Sequence, residues 1–190
     1  RGFIYLRSEY PHAFKKTIEA LKTAKAGKVL GSDILDSGVE FEIEVRLGAG
    51  AYICGEETSL LESLEGRRGQ IRPKPPLPAM KGLFNCPTVI NNVLSLAAIP
   101  TILSEGAGFY HDYGMGRSRG TMPIQLSGNV KRGGLIERGF GISLEEIIED
   151  YGGGTFSGNP VRAVQVGGPL GAYWPKSLFN TPFDYEAFIE

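Results

Sequence analysis

The residues best equipped for chemistry lie in one run, Gly48-Ala49-Gly50-Ala51-Tyr52-Ile53-Cys54-Gly55-Glu56-Glu57-Thr58. Gly50 and Gly55 have the glycine spacing of a P-loop, but Glu56 stands where the phosphate-binding lysine belongs. A carboxylate there repels the β- and γ-phosphates, so a nucleoside triphosphate site is excluded. Gly48 and Gly50 begin the dinucleotide fingerprint GxGxxG, which fails at Ile53. What remains is a glycine turn followed by two carboxylates at the leading end of a helix. On position alone Glu56 and Glu57 offset the helix macrodipole by about 0.3–1 kcal/mol and need no ligand. Alternatively they accept hydrogen bonds from an uncharged polar edge, such as ribityl or ribose hydroxyls or a carboxamide. Glu57 shares a helical face with Leu61 and Leu64, which favours its partial burial.

Other residues have two readings each. Lys74, in Arg72-Pro73-Lys74-Pro75-Pro76, is either part of a solvated basic loop or held by its prolines on a stiff track suited to a phosphate or ribose. Asn91 and Asn92 follow Val89-Ile90 at a strand-to-helix change, where asparagine caps a helix or the same N–H groups receive a phosphate. Tyr52, read singly, is a packed aromatic. His12 and His111 have no partners at metal-ligand spacing, and Cys54 and Cys86 permit at most one disulfide and no four-cysteine site. No Ser-His-Asp or Cys-His arrangement is present.

The elements that must position these residues are legible from periodicity. Phe3–Leu6 is an apolar strand. Pro11 suits the first turn of a helix carrying Phe14, Ile18 and Leu21 on one face and ending at Gly27. Val39–Leu47 alternates apolar and charged residues, as a half-buried strand does, and leads through the glycine turn into a helix from near Glu56 to before Gly66. Arg67 to Pro87 carries five prolines, which favour an extended path. Between Arg67 and Lys81 lie five basic residues and no acid, after seven acids and one arginine between Glu40 and Glu65. These two blocks either compensate each other or flank a ligand.

Farther on, a helix over Asn91–Leu103 should be interrupted or ended near Pro100. Gly106–Gly120 reads as a linker. Beyond it, Thr121–Leu126 and Gly134–Arg138 resemble paired strands, Ser143 and Glu146 form a capping box for a helix ending at Gly152, and Val161–Val166 is another strand. The order β-β-α-β suggests a small β-grasp module.

Composition sets the outer limits. Twenty basic against 21 acidic residues argue against a general nucleic-acid binder. No run approaches the roughly 18 apolar residues of a membrane-spanning helix, so no direct membrane insertion is expected. Glycine makes up 27 of 190 residues, about twice its usual share. Two cysteines fit a reducing cytoplasm. Arg1 leads almost directly into an apolar strand, as in a piece cut from a longer chain.

Taken together, Tyr52 to Thr58 with Ser63-Leu64-Glu65-Gly66-Arg67-Arg68-Gly69, then Arg72-Pro73-Lys74-Pro75-Pro76, then Asn91-Asn92-Val93, resemble one family. It is the flavoprotein (NADH-binding) subunit of respiratory complex I, with relatives in NAD-dependent formate dehydrogenases and NAD-reducing hydrogenases. The likeness runs through essentially the whole chain, as a central fragment. The stretch from Gly116 to Leu170 looks closest to the soluble formate dehydrogenase branch.

The resemblance implies an α/β fold: a partial Rossmann-like FMN/NADH-binding domain over residues 1–115, then a β-grasp module over 116–190 leading toward an iron–sulfur domain. It implies FMN and NAD(H) as cofactors and a [4Fe-4S] cluster in the parent protein, with cluster ligands outside this chain. The parent would pass a hydride between NAD(H) and FMN, then electrons singly to iron–sulfur clusters. Gly55, Glu56 and Glu57 would line the flavin and nicotinamide site with Tyr52 beside them. Lys74 would contact the dinucleotide, and Asn91 and Asn92 the FMN. No side chain need act as acid or base.

Leu77 stands where the family often has a stacking Phe, and Val93 replaces a frequent Thr. The family's glycine-rich flavin loop would precede residue 1, so the piece alone is expected to bind FMN weakly or not at all. Partners would be other components of a multisubunit oxidoreductase, in the cytoplasm or peripheral on the cytoplasmic face of the membrane. The competing reading is a non-catalytic ligand-binding or assembly module of an electron-transfer complex.

Overall fold

Two short parallel strands, β1 (Gly2–Leu6) and β2 (Ile43–Leu47), start the fold, with Gly2 opposite Ile43 and Leu6 opposite Leu47. Parallel neighbours need a crossover, and the helix α1 (Pro11–Ala26) lies in it. Pro11 sits at the first helical positions, Lys25 in the last turn, and Gly27 closes the helix, its N–H donating to Thr23 O. Phe14, Ile18 and Leu21 form the expected half-buried stripe. The computed structural model describes residues 1–189 and is mixed helix and strand.

Strand β2 begins later than its sequence pattern predicts. Strand β1 is only five residues long and supplies partners from Ile43 onward. Phe41 instead forms an isolated antiparallel bridge with Gly31, and Phe41 and Leu47 stay exposed. A short 3-10 turn, Tyr52–Gly55, then leads into α2 (Glu57–Leu64). Cys54 and Leu61 are the buried apolar residues of this region. Cys54 and Cys86 are both free thiols, the first buried and the second exposed, so the one disulfide the composition permits is not formed.

By packing, the chain divides into two units, Arg1–Ile90 and Asn91–Glu190. The expected boundary after residue 115 falls inside the second. That unit opens with α3 (Val93–Glu105), which runs through Pro100 rather than stopping there. The proline removes one helical donor, and the carbonyl four residues back belongs to exposed Leu96, where water can take the donor's place. The stretch expected as a linker holds a short helix, α4 (Ala107–His111), and a tight hairpin of β3 (Gly114–Met115) and β4 (Ser118–Arg119).

Strands β5 (Thr121–Leu126) and β6 (Gly134–Gly139) pair antiparallel over their full length. Ser143 and Glu146 complete the capping box: the Ser143 hydroxyl accepts from the Glu146 N–H, and the Glu146 carboxylate accepts from the Ser143 N–H. A helical turn, α5 (Leu144–Glu146), continues as a π-helical turn to Tyr151. Strands β7 (Ala163–Gln165) and β8 (Tyr173–Pro175) form a second hairpin. The core of this unit is Ile124, Leu144, Ile147, Ile148 and Phe179. Each described sheet has two strands. Among the described residues no helix is long and apolar enough to cross a membrane.

Candidate functional site

Ligands of parallel α/β folds bind beyond the carboxyl ends of the strands. At that edge β1 hands over to Arg7, and β2 to Gly48, whose N–H donates to Leu6 O at 2.8 Å. The Arg7 guanidinium lies 5.8 Å from the Tyr52 ring centre and 5.6 Å from that of Tyr10, and it donates to Glu9 at 2.9 Å. Tyr52 is therefore not a packed aromatic. It is 60% exposed, with a cation over its ring.

Glu56 lies just outside α2 as its N-cap, in extended backbone conformation. Its Oε2 accepts from the Thr58 N–H (2.9 Å), the Ser59 N–H (2.9 Å) and the Thr58 hydroxyl (2.5 Å). Partial burial alone would raise its pKa. The Thr58 hydroxyl, the Ser59 N–H and the Lys74 ammonium outweigh that and hold the carboxyl at about 2. Glu57, in the first turn, is half-buried as its helical face predicts.

Lys74 closes over this pair. Its Nζ lies 3.3 Å from Glu56 Oε1 and contacts Glu57 Oε1 more closely; the bond to Glu57 raises its pKa, partial burial opposes that, and Glu56 adds to the rise, so the net shift is upward. The proline-rich segment is fastened to α2 by Arg72. The Arg72 backbone N–H donates to Thr58 Oγ1 (2.9 Å), and its guanidinium bonds Glu62 and the Gly82 carbonyl (2.9 Å). Arg72 Nη2 also lies 2.8 Å from Glu65 Oε1, a charge contact without hydrogen-bond alignment. Arg67 pairs with the same two glutamates, and Glu65 accepts the Phe84 N–H at 2.7 Å. Of the two readings of the charge blocks, mutual compensation is the one the described contacts realise.

Tyr52, Gly55, Glu56, Glu57 and Lys74 all lie in the first unit, and Lys74 meets both glutamates. Asn91 and Asn92 belong to the second. Asn92 is the N-cap of α3, its Oδ1 accepting from the Leu94 N–H at 2.8 Å, as the capping reading of that pair expects. Sequence reasoning misses Arg7 altogether, and it quotes Thr58 and Arg72 within their motifs without assigning either a role; nothing local shows that they bond to each other.

The groups gathered here are two carboxylates, one ammonium and open glycine backbone. A Cβ placed on Gly50 or Gly55 would meet nothing within 4 Å, so backbone there is open to close approach beside the exposed Tyr52 ring. Glu57 offers carboxylate oxygens to hydroxyls or amides, and Lys74 a positive charge. Glu56 Oε2 is spent on its own helix. Among the described residues no cluster of His, Cys, Asp or Glu could hold a metal ion.

Comparison with known proteins gives the chain a family. The Nuo51 FMN-binding domain family matches residues 1–101. The chain is 44% identical over 187 residues to the NADP-reducing hydrogenase subunit HndC of Solidesulfovibrio fructosivorans, covering 98% of this chain and 38% of that protein. It is 43% identical to an NADH-quinone oxidoreductase subunit of Rhizobium meliloti (98% of this chain, 44% of that protein). Against an NADH-quinone oxidoreductase subunit of Escherichia coli the identity is 41% (98% and 42%). Among solved structures, an NAD+-reducing [NiFe]-hydrogenase in the H2-reduced state superposes with a TM-score of 0.84 at 33% identity, over 97% of this chain and 30% of that one. The chain thus spans well under half the length of these curated relatives.

Proposed function

The chain belongs to the Nuo51 FMN-binding domain family, and from that membership we propose that it is part of a flavoprotein subunit passing a hydride between NAD(H) and FMN, with electrons leaving singly to iron–sulfur clusters. The observation that carries this reading is the family match across residues 1–101, which encloses the whole Tyr52–Lys74 arrangement. When bound, FMN supplies the redox chemistry, taking electrons in pairs and releasing them one at a time. The chain's own residues bind and orient. Gly55 leaves backbone open for a flat ring, and Tyr52 lies beside it. Glu57 would accept hydroxyl or carboxamide donors, Glu56 fixes the start of α2, and Lys74 would contact the dinucleotide at a phosphate or ribose. Asn91 and Asn92 would contact FMN. No proton transfer by a side chain is required.

On the same reading residues 1–115 form a partial Rossmann-like domain, supported by the β1-α1-β2 unit with its parallel pair. Residues 116–190 form a β-grasp module, supported by the order β5-β6-α5-β7. The partners are iron–sulfur subunits of a multisubunit oxidoreductase, and the setting is the cytoplasm or its membrane face.

The test is NADH oxidation by the assembled enzyme with ferricyanide as acceptor. Glu57→Gln should lower kcat/KM about tenfold, the loss of one charged hydrogen bond, and Lys74→Ala should act mainly on KM. Unchanged kinetics in both variants removes this cluster from the site.

A further inference from the structure

We propose that Thr58 is a positioning residue for this site: its hydroxyl joins the Arg72 backbone to the Glu56 carboxylate and so holds Lys74 over the acidic pair. The proposal rests on the NAD(H)-site reading above.

Thr58 is 2% exposed, among the most deeply buried residues of the chain. Thr17 and Thr23 in α1 satisfy their hydroxyls on the carbonyl four residues back, Ala13 O and Glu19 O. Thr58 stands in the first turn of α2, where no helical carbonyl lies four residues back. Its Oγ1 accepts the Arg72 N–H, fourteen residues away, at 2.9 Å and donates to Glu56 Oε2 at 2.5 Å. Both bonds lead out of the helix, one to the proline-rich segment and one to the cap.

These bonds close a ring. From Arg72 the chain passes through Pro73, whose φ is fixed by its own ring, to Lys74. The Lys74 ammonium returns to Glu56 Oε1 at 3.3 Å and to Glu57. Arg72 is anchored again by its guanidinium on Glu62 and on Gly82 O. The tripeptide that carries Lys74 therefore starts from a point fixed on both its backbone and its side chain, and the backbone half depends on one hydroxyl. Without that hydroxyl the Arg72 N–H loses its acceptor, and Glu56 Oε2 loses one of three donors. The carboxylate can then turn, and Lys74 loses its fixed reach.

The experiment compares Thr58→Val, which keeps the shape, with Thr58→Ser, which keeps the hydroxyl. One readout is hydrogen exchange of the Arg72 amide, and the other is steady-state NADH oxidation by the assembled enzyme. In Thr58→Val the Arg72 amide should exchange about tenfold faster, and KM for NADH should rise about three- to tenfold with kcat within about twofold. Thr58→Ser should stay close to the parent in both readouts. Should the valine protein not fold, Thr58→Ala makes the same comparison.

Unchanged Arg72 exchange in the valine protein, or equal KM shifts in the valine and serine proteins, overturns the proposal. Faster exchange with KM unmoved also overturns it. In that case Lys74→Ala locates the fault: a raised KM there leaves the NAD(H) site standing, and an unmoved one brings both down.

Discussion

Replacing Glu56 with glutamine tests how much of the site's order comes from one charge. A carboxyl held at about 2 instead of its ordinary 4.5 corresponds to at most about 3.4 kcal/mol at neutral pH. The side chain is 28% exposed, and its Lys74 partner 35%, so solvent screens part of that. Glutamine also keeps one oxygen that can still accept the Thr58 or Ser59 N–H. Loss of a side-chain N-cap costs about 0.5–2 kcal/mol in measured series. The expected destabilisation at pH 7 is therefore about 1–2 kcal/mol.

The sign of the pH dependence follows from the lowered pKa. The Glu56 contribution is complete above about 4.5 and is lost as pH falls through about 2. Urea unfolding of parent and Glu56→Gln proteins should show the gap shrinking by more than roughly half between pH 7 and pH 3. Hydrogen exchange of the Thr58 and Ser59 amides should quicken about five- to thirtyfold in the variant at pH 7, matching the free energy. A gap that stays constant between pH 7 and pH 3, or unaltered exchange at those two amides, refutes the assignment of Glu56 as a charged cap.

Two further substitutions probe the frame around the site. A Cβ on Gly48 would lie 2.7 Å from the Tyr5 hydroxyl, which bonds Ser63 Oγ at 2.8 Å and ties β1 to α2. Gly48→Ala should cost about 1–3 kcal/mol in urea unfolding and clearly less in a Tyr5→Phe background, and strict additivity would contradict the close approach. In the second unit Ile147 is 3% exposed within the core. Ile147→Ala should cost about 2–5 kcal/mol, and a loss below about 1 kcal/mol would mean that core is not packed as described.

Particular elements show where sequence logic reaches. The Ser143–Glu146 capping box and the β5–β6 pairing are readable because each signal is written within a few residues of the atoms it governs. The α1 stripe of Phe14, Ile18 and Leu21 is readable for the same reason, since helical period and apolar type coincide. Strand β2 is shorter than its pattern, because alternation marks what could be a strand while the partner's length decides what is one. The helix through Pro100 escapes sequence logic because a missing donor matters little beside a residue as exposed as Leu96.

The residues Tyr52 through Thr58, Lys74 and the paired asparagines mark themselves by type and spacing, so the family was determined by the sequence alone. What only tertiary structure decided is how that site is held. Arg7 lies over Tyr52, and Lys74 reaches back to Glu56 and Glu57. Arg72 and Thr58 bond across fourteen residues. Such contacts depend on the path of a proline-rich loop, and that path is set by many weak contacts acting together rather than by the identity of either partner.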